Sequence, residues 1–400
     1  MNLKLKHGAE YFALLFVGLF AFLGCSVHDY RTVTRVALSS NPTATAKSFA
    51  KQKATYYEKN PQALLKDAQN FQVNFKQVFE AFVGEISKKW GKKESKSASQ
   101  KVYVKYTDSY KSRALVDFEK GEITVETIDS QNPKESLKKA IVTTLLTPEN
   151  PEGVDLYSDK EISFQGKPYL AGLVKDHEQK VVLYEWRAGR YADYLINNQL
   201  KTRTADAQIV HYVHFHMTRE YNRVKSAKYG DIVKKYARLH GVSEALVLAI
   251  IQSESSFNPY AVSSIPAYGL MQVVPQSAGR DAHRGLHGRD GIPTRSQLFD
   301  PDTNVRYGTM YLKILHTRYL AGIRNPQSLE YCVIAAYNTG SGNVLRTFER
   351  NRARAVDKIN AQPPQEIYRK LRTSLPYEET RNYLRKVTEA KRNFIAHPRS

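Results

Sequence analysis

The stretch Ser243–Pro259, SEALVLAIIQSESSFNP, ends an otherwise apolar helical run on a carboxylate. Ser243 is placed to cap the helix, and Glu244 puts a negative charge in its first turn, where the backbone dipole favours it. Leu246, Val247, Ile250 and Ile251 form a core-facing stripe. Glu254 follows Val247, Ile250 and Ile251 at steps of seven, four and three, so it points along that stripe and away from solvent. A carboxyl in such a place is either paired with a cation or partly desolvated. Desolvation raises its pKa and keeps it protonated, as a general acid near neutral pH requires. The helix alone leaves both readings open.

Three later segments bear on the choice. SSIPAYGLMQVVPQSAG carries Gly269, Leu270, Met271 and Gln272 before a proline. Gly269 lets backbones approach closely, and Gln272 offers a donor and an acceptor to an amide or hydroxyl. CVIAAYNTGSGNV runs from an apolar helix into Tyr337 and Asn338, then into a turn with Gly340 and Gly342. That turn reads as a helix C-cap. Its glycines follow a helix and do not open one after a strand, which argues against a phosphate loop. LPYEETRNYLRKV presents Tyr377, Thr380, Arg381 and Tyr383 at the start of a further helix.

Around these segments the pattern is helical from about residue 229 onward. Ile232–Leu239, Thr303–His316, Leu329–Tyr337, Glu366–Leu371 and Glu378–Ala390 join the helix of Glu254 in a compact all-α domain, residues 229–400. Residues 51–200 read as a smaller α+β domain, and 201–228 as a connecting segment. Leu64, Phe71, Phe75, Val78, Phe79 and Phe82 form a helical stripe taken as a core face. KVYVKYTD and RALVDFEKGEITVETI, with a turn at Lys120–Gly121, predict antiparallel strands. SLKKAIVTTLLTP predicts a short helix, and KVVLYEWRA and QIVHYVHFHM two more strands. His214 and His216 fall on one face of the last strand and His211 on the other. No nearby Cys or Asp completes a ligand set, so they read as surface histidines and no metal is expected.

The N-terminus is of another kind. Lys4 and Lys6 precede the apolar run Tyr11–Leu23, which is too short for a comfortable membrane span and fits a secretory signal over residues 1–24. The run ends in Phe22-Leu-Gly-Cys25, which resembles a bacterial lipoprotein box, with Cys25 as the lipidated residue and residues 25–50 as a Ser-, Thr- and Ala-rich tether. An uncleaved anchor is the other reading. Ser26 is not the aspartate that would favour the inner membrane, and similarity to sorted lipoproteins implies the periplasmic face of the outer membrane. Cys332, the other cysteine, sits in an apolar run and reads as a core residue. The formal charge of +21 favours anionic partners. Export argues against nucleic acid and leaves acidic lipid or a polyanionic cell wall.

The ordered set Glu254-Ser255, Gly269-Leu-Met-Gln272, Ala336-Tyr-Asn338 and Tyr377-x-Glu-Thr-Arg-x-Tyr383 resembles the lytic transglycosylases with a goose-type lysozyme fold. The motif resemblance spans residues 229–390. It implies cleavage of the β-1,4 bond between N-acetylmuramic acid and N-acetylglucosamine without added water, giving a 1,6-anhydro end. It implies Glu254 as the single acid and base, and Ser255, Gly269, Met271, Gln272, Tyr337, Asn338 and Tyr383 as residues that bind or orient substrate. It implies peptidoglycan glycan strands as partner and no cofactor. Tyr268 departs from the residues commoner before Gly-Leu-Met-Gln and is expected to alter a sugar subsite. A lipid-anchored, non-catalytic peptidoglycan-binding scaffold and a hydrolytic muramidase are the competing functions.

Overall fold

A computed structural model describes residues 71–151, 154–206, 208–263 and 267–397. The signal segment, Cys25, the tether and the helical pattern before residue 71 lie outside the described residues. The first described element is helix α1, Phe71–Trp90. Val78 on it is exposed while Phe82, Ile86 and Trp90 are buried, so the apolar face follows the later residues and does not include Val78.

Within residues 87–400, a compact unit, the chain first builds a five-stranded sheet of order β1-β2-β3-β5-β4. The strands are β1 Val102–Thr107, β2 Ser112–Asp117, β3 Glu122–Thr127, β4 Lys201–Ala205 and β5 Gln208–His216, and every pairing is antiparallel. The turn expected at Lys120–Gly121 joins β2 to β3, with Gly121 in the left-handed region at φ 71°. The stretch taken as a connecting segment, residues 201–228, holds β4 and the strand expected at QIVHYVHFHM, β5, and both complete this same sheet. Its strands carried the alternation, but pairing β5 beside β3 needs a long-range contact that no local pattern displays.

One sheet face is covered by helices α2, Pro133–Leu146, and α3, Glu185–Gln199. Leu137 and Ile141 of α2 and Leu195 of α3 are buried with Val116, Ile123, Val125 and Val213 of the strands. The strand expected at KVVLYEWRA is absent: α3 begins within it, after Tyr184. The buried residues Ala188, Tyr191, Ala192, Leu195 and Ile196 recur at steps of three, four, seven and eight, and this helical period outweighs the short β-branched run before it. On the opposite face Arg113 stacks over Trp90 at 3.8 Å and is paired with Glu126 at 2.6 Å. Arg203 joins Glu126 and Glu94 at 3.1 and 2.8 Å, so the buried Arg113 and Glu126 charges are satisfied within a network that reaches the half-exposed Arg203 and Glu94.

The remainder is helical: α4 Tyr221–Lys228, α5 Gly230–His240, α6 Glu244–Ser255, α7 Arg280–His287, α8 Arg295–Phe299, α9 Pro301–Ile314, α10 Pro326–Thr339, α11 Ser341–Arg346, α12 Arg352–Asn360, α13 Pro364–Ser374 and α14 Glu378–Ala396. Each helix expected from the pattern is present. The additional ones, such as α11 and α12, are too short to show a period. Helix α6 sits at the centre, packed against α14 and α5, with Leu246 to Ile251 all buried. The segment after it is fixed to the sheet part: Asn258 Nδ2 donates to the Gln100 carbonyl at 3.2 Å, and the Tyr260 hydroxyl donates to the Pro148 carbonyl. The Tyr260 ring lies 5.1 Å from Tyr103 and 5.6 Å from Tyr169.

Candidate active site

The last turn of α6 forms as its sequence requires. Ser243 Oγ accepts the Leu246 amide at 3.3 Å, which caps the N-terminus. At the other end Ser256 and Phe257 both take left-handed conformations, φ 51° and 64°, and turn the chain sharply once Glu254 and Ser255 have passed. Glu254 is 8% exposed. Burial pushes its carboxyl up to about 7 from the usual 4.5; the nearby Tyr383 hydroxyl opposes that rise, the Glu379 charge adds to it and the Lys101 charge opposes it. Of the two readings left open by the helix, desolvation therefore prevails. Among the described residues no cation forms an ion pair with Glu254.

Ser255 is wholly buried, and its hydroxyl donates to the Ile251 carbonyl at 3.1 Å and the Leu270 carbonyl at 2.8 Å. It ties the end of α6 to the Gly269–Gln272 turn. Gly269 has φ 72°, and a β-carbon there would lie 2.4 Å from both Asn304 Nδ2 and the Leu298 carbonyl oxygen. Only glycine fits. Asn304, on α9, saturates the turn: its Oδ1 accepts the Met271 amide at 2.8 Å, and its Nδ2 donates to the Tyr268 and Leu298 carbonyls at 2.7 and 2.6 Å. Gln272, at φ 47°, folds its Nε2 back onto the Ala261 and Gly269 carbonyls at 3.1 and 3.0 Å. Its Oε1 is buried with no hydrogen-bond partner in the protein.

From the other side, the Tyr337 hydroxyl at the end of α10 donates to the Met271 carbonyl at 2.9 Å. Its pKa is pushed far up by burial and then by the Glu254 charge. Asn338 Oδ1 accepts the Thr380 hydroxyl at 2.6 Å, which locks α10 to the start of α14. Tyr383, one turn further along α14, turns its buried hydroxyl toward Glu254 without a well-aligned hydrogen bond. The segments singled out in the sequence thus converge: the Glu254 charge acts on both Tyr337 and Tyr383, and Ser255 and Tyr337 each bond to the Gly269–Gln272 turn.

Two further residues singled out in the sequence take structural positions. Tyr268 is fully buried against Phe299, 5.4 Å between ring centroids, so it packs the core and lines no sugar subsite. Arg381 donates to the Leu375 carbonyl and braces the approach to α14. Sequence reading missed Asn304 and Lys101. Asn304 carries a signal, an amide on the buried face of α9 four residues before Gly308, whose missing side chain admits Met271. Lys101 precedes β1 in the sheet part, and nothing local links it to Glu254.

A buried carboxyl that stays protonated up to about pH 7 can donate a proton to a bound substrate and, once ionised, take one back. Comparisons with known proteins place the chain among relatives. Residues 57–228 match the family described as the membrane-bound lytic murein transglycosylase C N-terminal domain, and residues 231–360 match the transglycosylase SLT domain. The chain is 43% identical over 334 residues to the membrane-bound lytic murein transglycosylase C of Yersinia pestis strain Pestoides F, covering 83% of this chain and 92% of that one. The same figures hold for the protein of that name from Yersinia pseudotuberculosis serotype O:1b. Among solved structures, the 70 kDa soluble lytic transglycosylase of Escherichia coli is 27% identical over 42% of this chain and 24% of its own, with a TM-score of 0.32. The fold class read from the sequence, a lysozyme-like helical domain behind a smaller α+β domain with an antiparallel sheet, stands. The chain belongs to the membrane-bound lytic murein transglycosylase C family.

Proposed function

We propose that this chain is a peptidoglycan lytic transglycosylase that cleaves the β-1,4 bond between N-acetylmuramic acid and N-acetylglucosamine, with Glu254 as its single acid and base. The observation that carries the reading is the burial of Glu254 at the end of α6, where its carboxyl stays protonated to about pH 7. Protonated Glu254 donates to the glycosidic oxygen as its bond to C1 breaks, while the muramoyl acetamide oxygen stabilises C1. Substrate assistance of this kind replaces the second carboxylate that most glycosidases use. The Glu254 carboxylate then takes the proton of the C6 hydroxyl, and O6 bonds to C1. No water enters, the proton is returned, and the product ends in 1,6-anhydro-N-acetylmuramic acid.

The other site residues support this sequence by position. Gln272 Oε1 and the Tyr383 hydroxyl are buried polar groups with no protein partner in good geometry, and a sugar amide or hydroxyl supplies the missing bond. Tyr337 and Asn338 line the subsite from α10. Ser255, Gly269 and Met271 orient the substrate-binding residues by fixing the Gly269–Gln272 turn. The mechanism needs no cofactor. The net charge of +21 suits a polymer whose stem peptides and lactyl groups carry carboxylates. Among the described residues no helix is long and apolar enough to cross a membrane. A lipid on Cys25 would hold the enzyme at the periplasmic face of the outer membrane.

The test is digestion of purified sacculi followed by mass spectrometry. Wild type releases muropeptides lighter by one water than their reducing counterparts, and Glu254→Gln loses roughly 10²–10⁴-fold in rate. Reducing ends would make it a muramidase. Binding without release would make it a scaffold, and undiminished release by Glu254→Gln would remove that residue from the chemistry.

A further inference from the structure

Away from Glu254, β3 and β5 bring metal-ligand side chains together at the end of the sheet face that α2 and α3 leave uncovered. His214 and His216 alternate onto this face, and the antiparallel register sets Glu122 opposite His216 and Thr124 opposite His214. The carboxylate that the linear sequence did not show beside the histidines is thus supplied across the strands. One ligand atom from each of Glu122, His214 and His216 lies within 4.8 Å of the other two. The two rings stand at 88° with centroids 4.8 Å apart, edge to face, so they are not stacked flat against each other. His214 Nδ1 lies 2.9 Å from the Thr124 hydroxyl, which fixes that ring and leaves Nε2 as the nitrogen free to ligate.

We propose that Glu122, His214 and His216 form a binding site for a divalent transition metal, zinc being the ion best suited to two imidazoles and one carboxylate. Two histidines alternating on one strand with a third ligand from its neighbour place three donors on one side of the ion and leave a fourth position for water or an incoming ligand. Tetrahedral zinc needs ligand atoms roughly 3.3 Å apart, given bonds of about 2.0–2.1 Å. His216 is exposed and Glu122 only half buried, so side-chain rotation closes the gap without moving the strands. Asp117 lies opposite Glu122 on β2 but accepts the Glu119 and Lys120 amides, each at 2.9 Å, so it is already engaged. His211, on the other face, takes no part.

Another histidine pair supplies the control. His283 and His287 on α7 have ring centroids 4.4 Å apart, but His283 Nδ1 is engaged by the Tyr307 hydroxyl at 3.0 Å, and nearby Asp290 is held by Arg280 and Arg284. Zinc chloride is titrated calorimetrically into the metal-free full-length protein. The expected result is one ion per chain, bound at least about tenfold more weakly by Glu122→Gln, by His214→Ala and by His216→Ala, and unchanged in His211→Ala and His283→Ala. His216→Ala changes an exposed side chain, so its thermal melting without metal should match wild type and separates lost ligation from lost folding. Equal affinity in wild type and in the triple variant overturns the site, as does loss of binding in His283→Ala alone.

Discussion

The carboxyl of Glu254 is held in a state that costs stability above its ordinary pKa. Its folded-state pKa, about 7, lies above the 4.5 of an ordinary glutamate, so between these values the folded chain holds a proton that the unfolded chain has released. Stability therefore falls as pH rises through this window, by roughly 3 kcal/mol once above it. Glu254→Gln, which cannot ionise, should unfold at higher urea concentration than wild type at pH 8, and the gain should vanish near pH 4. Equal stability at both pH values would show that the carboxyl is not desolvated. The neighbours have opposite signs. Glu379→Gln should lower the pKa of Glu254, whereas Lys101→Ala and Tyr383→Phe should raise it, because those groups respectively add to and oppose the effect of burial. The direction in which the basic limb of the pH–rate profile moves checks each. At this scale Glu254 was legible, because heptad-like spacing reports which face a helical residue shares. Its electrostatic neighbours were not, because Lys101 is brought near by tertiary structure.

At the scale of elements, the turn Gly269–Gln272 is the joint on which α6, α9 and α10 meet. Gly269→Ala forces a β-carbon onto Asn304 and the Leu298 carbonyl at a positive φ and should cost about 3 kcal/mol. Asn304→Ala takes from the Met271 amide and the Leu298 carbonyl the partner Asn304 gives them, and leaves the Tyr268 carbonyl with the Val273 amide alone, a loss of roughly 3 kcal/mol. Urea denaturation measures both, and near-wild-type stability of either would mean the turn relaxes freely. Glycine at 269 was expected from the motif, but its physical reason, an asparagine on a helix thirty-five residues later, required the structure. The helices and hairpin strands were legible where periodicity ran for ten residues or alternated cleanly. KVVLYEWRA misled because its β-branched residues stand immediately before a helix whose period is set by later residues.

Across the whole described unit, the sheet part is packed onto the helical part through a few aromatic and hydrogen-bonded contacts. The rings of Tyr103, Tyr169 and Tyr260 pack together, and Gln100 and Pro148 anchor the segment that follows Glu254. Tyr260→Ala should destabilise the protein by roughly 3–5 kcal/mol and reduce activity further than its loss of folded fraction explains. Activity that tracks folded fraction alone would show that the sheet part does not position the catalytic helix. Such packing is invisible in the sequence, where Tyr103 and Tyr260 lie far apart and each reads as an ordinary aromatic. The central claim, that one buried glutamic acid drives the reaction in its protonated form, is tested most directly by the pH dependence of kcat/KM on soluble glycan strands. A profile level in acid and falling with one-proton slope above about pH 7 is predicted. A break near 4.5, where an ordinary glutamate ionises, would contradict it.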